Sequence, residues 1–149
     1  MAITASGMFG KTWEDLLDTT QLAVDYDLET HKGALFTDTI TPNFDTDTAF
    51  NVSPYDGNET NGGSWSAGGI ALTGTALSLS SGTMKFDATD VSVATSTVTD
   101  AMAYLLYADA LGGNNALCLV DFVTAVTTVS GTLTITWNSS GIWTLDYTP

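Results

Sequence analysis

The sequence predicts an all-β domain, a β-sandwich or barrel-like antiparallel fold with an extended N-terminal arm and one short N-terminal helix. Three observations point there. Among 149 residues, 26 threonines, 12 serines and 14 glycines supply the residue types that half-exposed strands and tight turns use. Apolar stretches of strand length recur about every ten residues, separated by Gly, Asn and Ser. A helix-start signature is confined to one place near the N-terminus.

The elements follow in order. Residues 1–10 (MAITASGMFG) hold no charged side chain and no clear period, so residues 1–12 read as an arm needing a surface to lie against, and residues 13–149 as a single β domain. Thr12 and Asp15 stand at capping-box spacing, and with Trp13, Leu16 and Leu17 they predict a helix from about residue 13 to 19. Val24, Tyr26, Leu28 and Thr30 then alternate with Asp25, Asp27, Glu29 and His31, which predicts a strand with one wet face carrying His31. After Gly33, Ala34–Phe36 continue as a short apolar strand.

Residues 41–64 combine both internal prolines with Asp, Asn and Gly, a long surface excursion of the kind that contacts something. Short strands follow at 70–72, 76–80 and 84–87. Val91–Val98 alternates Val with Ser and Thr, AMAYLLY (101–107) suits a central strand, and LCLVDFV (117–123) is the next core strand. Thr132–Trp137 is expected to pair with Ile142–Tyr147 as a hairpin across the Asn138–Gly141 loop. Leu133, Ile135 and Trp137 then share a face, and Trp137 and Trp143 both pack in or near the core.

Composition excludes several functions. Seventeen acidic residues against three lysines give a net charge of −14, which leaves no cationic surface to neutralise phosphates, so no nucleic-acid partner is expected. Neither a secretion signal nor an 18-residue apolar span is evident, so no membrane partner is expected either. Cys118 is the single cysteine and reads as a small buried hydrophobe. Gly10-Lys11-Thr12 looks like the end of a phosphate-binding loop, but Ala5 stands where that loop needs glycine and no strand precedes it. His31 is the only histidine and no serine occupies a nucleophile elbow. Asp25, Asp27 and Glu29, like Asp45 and Asp47, read as hydrated carboxylates, since neither group has calcium-loop spacing. The chain is therefore expected not to be an enzyme, with no catalytic, cofactor-binding or metal-binding residues.

Candidate contact residues are Met8, Phe9, Lys11, Trp13, Phe44, Phe50, Tyr55 and Trp65, the bulky or cationic side chains of the arm and the 41–66 excursion. Exposed Trp65 and Tyr55 would also suit a carbohydrate-binding module.

In the C-terminal half, AMAYLLY (101–107), a Gly/Asn loop, LCLVDF (117–122) and GTLTITWNSSGIWTLDY (131–147) resemble the successive core strands of small structural proteins of tailed-bacteriophage virions. THKGALFTDTITPNFDTD (30–47) and MKFDATDV (84–91) look like the same group. The pattern departs at Val123, where the family often has glycine after Asp-Phe. The resemblance implies a non-enzymatic virion component, most simply a decoration or cement protein on the outside of the head. It would be assembled in the host bacterial cytoplasm, with the major capsid protein lattice as partner and self-association, a homotrimer being one form. The alternative is a tail- or connector-associated component. Strong acidity favours the outer surface of a DNA-filled shell over its lumen.

Overall fold

Two long strands, continuous where the sequence suggested several short ones, form the middle of the molecule. A computed structural model describes residues 2–148; Met1 of the expected arm and Pro149 of the expected domain lie outside the described residues. In chain order the elements are β1 (Gly7–Met8), α1 (Gly10–Leu17), β2 (His31–Phe36), β3 (Ile70–Ala71), β4 (Ala76–Ser80), β5 (Thr83–Asp87), β6 (Val91–Ala108), β7 (Ala116–Ile135) and β8 (Trp143–Asp146). They form a five-stranded sheet in the order β1-β7-β6-β2-β3 and a three-stranded sheet in the order β4-β5-β8. All pairings are antiparallel, and the fold is an all-β, sandwich-like domain.

β6 lies at the centre of the large sheet, and its Ala101–Ala108 end is buried throughout because both faces are covered. Alternation divides its side chains between two cores. Tyr104, Leu106 and Ala108 join Phe86 and Trp143 of the small sheet, while Ala103, Leu105 and Tyr107 join Ile3, Phe9, Ile40 and Tyr55 from the arm and the excursion. The large sheet is thus sandwiched between the small sheet and a layer of irregular chain.

The expected breaks at 98–101 and near 123 are bulges within single strands. Register shifts fall between Val93 and Ser96, Ser96 and Val98, Val98 and Ala101, and Ala101 and Ala103, and Thr95, Asp100 and Ser130 take positive φ there. Val123 also sits at φ 64, the left-handed region that penalises a β-branched residue. The Asp121 carboxylate accepts its N–H at 2.8 Å.

Four expectations are corrected. The arm lies on its own domain: Gly7 pairs with Leu119 and Met8 with Cys118, and the N–H groups of Ala2 and Ile3 donate to Asp38. Ile3 and Phe9 are fully buried, so the first dozen residues are a structural layer of the domain. The helix begins at Gly10, and Thr12 is no cap. Its hydroxyl donates to the Ala116 carbonyl and pins the helix to β7, while Phe9 occupies the N-cap position without a side-chain bond.

The alternating 23–31 stretch is a turn. Asp25 Oδ1 accepts the N–H groups of Asp27 and Leu28, and the Asp25 N–H and C=O both bond to Glu29, so carboxylate chemistry overrides the two-residue period. Finally, 132–137 and 142–147 do not form a hairpin. The Asn138–Gly141 turn closes, with the Gly141 N–H on the Asn138 carbonyl, but Val91 and Val93 of β6 take up Ile135 and Leu133, and β5 takes up β8. The turn carries the chain from one sheet to the other.

Candidate interaction surfaces

The eight sequence-derived contact residues do not assemble into one exposed surface. Phe9, Tyr55 and Trp65 are buried, at most 1% exposed, so they cannot be anchors for a partner, and the carbohydrate-binding reading loses both its aromatics. Phe9 packs against Phe44 and Tyr55, with ring centroids 5.3 and 6.0 Å away. Phe44 and Met8 are half-buried in the arm layer, and Phe50 stacks on Tyr107 at 4.4 Å. Trp13 stacks on Tyr26 and meets Trp143 edge-on, which ties α1 to the small sheet. Lys11 is held by Glu14 and Asp15 at 2.8 and 2.9 Å, an exposed pair of helix-surface bridges of the weak kind. Bulk and hydrophobicity single out side chains that pack, and sequence does not say whether that packing is internal or against a partner.

His31, expected on a wet strand face, is fully buried in an aromatic group with Tyr26 and Phe86, 5.7 and 5.9 Å away. Its Nε2–H donates to the Asp25 carbonyl at 3.1 Å, which leaves Nδ1 buried without a partner. Protonating Nδ1 would bury an unpaired charge. Burial therefore holds the imidazole below its usual pKa, against the opposing pull of its backbone partner and of Asp25 and Glu29.

A histidine depressed in the folded state binds its proton more readily when the chain unfolds, so its stabilising contribution is intact above about pH 6.5 and declines as the pH falls below that. His31→Gln keeps a donor near the Nε2 position and cannot titrate. Urea midpoints taken between about pH 7.5 and pH 5 should fall for the wild-type chain and stay nearly flat for the variant. Equal slopes would mean that His31 is not the titrating group.

Cys118, Asp25, Asp27 and Asp47 are also held by burial or by their neighbours. Burial pushes the Cys118 thiol up to about 12, so it is inert as a nucleophile. Asp25 and Asp27 hydrogen-bond to each other, which holds Asp25 below and Asp27 above the ordinary carboxylate value. Asp47 accepts the Tyr55 hydroxyl and the Asn43 N–H, both at 2.8 Å. Among the described residues no cluster of three or more His, Cys, Asp or Glu side chains is placed to hold a metal ion, and no helix is long and apolar enough to cross a membrane.

Among the described residues, two apolar surfaces gather several side chains. One is a groove of about 490 Å³ between the end of β7 and the crossing turn, walled by Val126, Leu133, Ile135, Trp137 and Ile142, with no charged lining residue. The other is the inner face of the small sheet. Register places Leu77 opposite Phe86 and Leu79 opposite Met84, and then Met84 opposite Leu145 and Phe86 opposite Trp143. The Phe86–Trp143 row is covered by the large sheet, but the Leu79–Met84–Leu145 row runs past its cover. Leu79 is 70% exposed, and Tyr147, in phase with Leu145, is 59% exposed. The signal for this face is present in the strict Leu-Ser alternation of ALSLS, which the sequence shows only as a short strand. Compared with known protein families, curated proteins and solved structures, the chain matches none.

Proposed function

We propose that this protein is a non-enzymatic structural component of a tailed-bacteriophage virion, a decoration protein on the outer surface of the head whose partner is the lattice of the major capsid protein. The observation that carries the reading is the surface itself: a net charge of −14 combined with apolar side chains left exposed on one sheet face and in one groove. Such a surface repels packaged DNA and suits contact with other protein. The strand pattern shared with small virion proteins supports the same conclusion. Many copies, each making modest contacts, hold firmly to a lattice when each one bridges more than one shell subunit.

Immunogold labelling of purified virions carrying the protein tests this directly. Gold over the heads is the expected result, together with co-sedimentation of added protein with shells that lack it. Gold confined to tails or the neck would replace the head assignment with the tail- or connector-associated one, and unlabelled virions would overturn both. Since Ile3 and Phe9 are core residues, the contact surface should be probed by substitution at Leu79, which is 70% exposed; removing the arm would damage the fold.

A further inference from the structure

β4 is the outer strand of the small sheet, and among the described residues nothing is paired with its free edge. All five of its residues are exposed, and its sequence, ALSLS, contains none of the charges or prolines that usually guard a bare edge. The β4–β5 connection is a two-residue turn with φ 50 at Ser81 and φ 80 at Gly82, the primed geometry in which the flanking residues Ser80 and Thr83 bond to each other. Alternation then directs the backbone groups of Ser80, Ser78 and Ala76 towards β5, and those of Leu79 and Leu77 outward. The Tyr147 N–H on the Gly82 carbonyl fits the same phase, since it directs even-numbered β5 groups to β8 and odd-numbered ones to β4.

We infer that this edge pairs with the β4 edge of a second copy of the chain, antiparallel about a two-fold axis through Ser78. The outward groups are symmetric about Ser78, so Leu77 meets the second copy's Leu79 and Leu79 meets its Leu77. Four backbone hydrogen bonds form, and no outward N–H or C=O of either leucine is left over. The leucine side chains of both copies lie on the same apolar face and extend the exposed Leu79–Met84–Leu145 row into a continuous six-stranded sheet.

Charge selects the same occupant. Residues 60–84 contain no charged side chain, so around this edge two copies each carrying −14 can approach closely. Asp25, Asp27 and Glu29 flank Leu77, and across the axis the second copy presents only Leu79, Ser80 and Ser81 to them. The contact closes at two copies, which differs from the three-fold form expected from sequence. It stands independently of any binding to a capsid.

A contact this small associates weakly, so the full-length chain should be examined by sedimentation equilibrium at about 200 μM. The expected species has twice the mass of the monomer, and its association should tighten between about 50 and 500 mM NaCl as repulsion is screened. Leu79→Lys, at an exposed position, should weaken dimerisation at least tenfold with an unchanged circular dichroism spectrum. Ser78→Cys gives the register test, because residue 78 faces itself across the axis at a distance a disulfide can span. Under mild oxidation it should form a covalent dimer, whereas Ser80→Cys, opposite the second copy's Ala76, should not. A monomer at both salt concentrations, a trimer, or cross-linking equal at 78 and 80 would overturn the inference. Association that weakens with salt would also overturn it.

Discussion

Replacing Gly33 with alanine is expected to cost about 3 kcal/mol, the upper end for an overpacked core, and to leave the chain largely unfolded at mild urea concentrations. Gly33 lies in β2 opposite Leu106, and the Tyr104 ring crosses directly over its α-carbon. A methyl group there would fall 1.6 Å from the ring's Cζ and 1.8 Å from its hydroxyl oxygen. Tyr104 cannot swing away, because it is fully buried and meets Trp137 edge-on at 5.4 Å. The effect therefore belongs to the pair. Gly33→Ala combined with Tyr104→Leu should recover much of the loss, giving a non-additive cycle when the urea midpoints of both single variants and the double variant are compared. Strict additivity would show that the backbone of β2, and not the ring, sets the cost.

Trp65→Ala is the second large effect, expected to cost about 3–5 kcal/mol as for other buried aromatic truncations. Its indole is the largest fully buried side chain and sits in the core shared with Leu35, Tyr104 and Phe86. The surrounding backbone is fixed by bonds between Gly62 and Trp65 and between Gly62 and Thr97, so the cavity cannot readily collapse. The measurement separates two roles. An interface anchor would leave the unfolding transition untouched and abolish partner binding, whereas a core residue lowers the transition whether or not a partner is present. Far-ultraviolet circular dichroism is the appropriate probe, because the substitution removes part of the tryptophan fluorescence.

Local signals in the sequence were reliable where the chain's neighbours are also local. Ala76–Ser80 and the strand after Ser81-Gly82 emerge nearly as read, because a two-residue turn fixes both their pairing and their phase. The 101–107 run is the central strand, since a strand covered on both faces has to be apolar at every position. Long-range choices were not legible. Nothing in Thr132–Trp137 records that Val91 and Val93, some forty residues earlier, compete successfully for its edge against the adjacent 142–147 segment. The Val24–Thr30 alternation was misleading because Asp25 and Glu29 satisfy backbone groups within the turn, which a period of two cannot distinguish from strand pairing. Of the contact residues chosen for bulk, Phe9, Tyr55 and Trp65 lie inside and the others are half-buried in internal packing. The surface now favoured is made of modest leucines whose exposure depends on where the large sheet stops.

The joining of β1 and α1 to β7 imposes a schedule on biosynthesis. Thr12 and Ala116 are 104 residues apart in the chain, so a ribosome needs on the order of 5–20 s after making the first to deliver the second. Throughout that interval Phe9 and Trp13 can meet Tyr26, Phe44 and Tyr55 but not β7, so the earliest-made segment is among the last to settle. Nascent chains are therefore expected to recruit holding chaperones at their leading end, and maturation should finish only after β7 has cleared the exit tunnel.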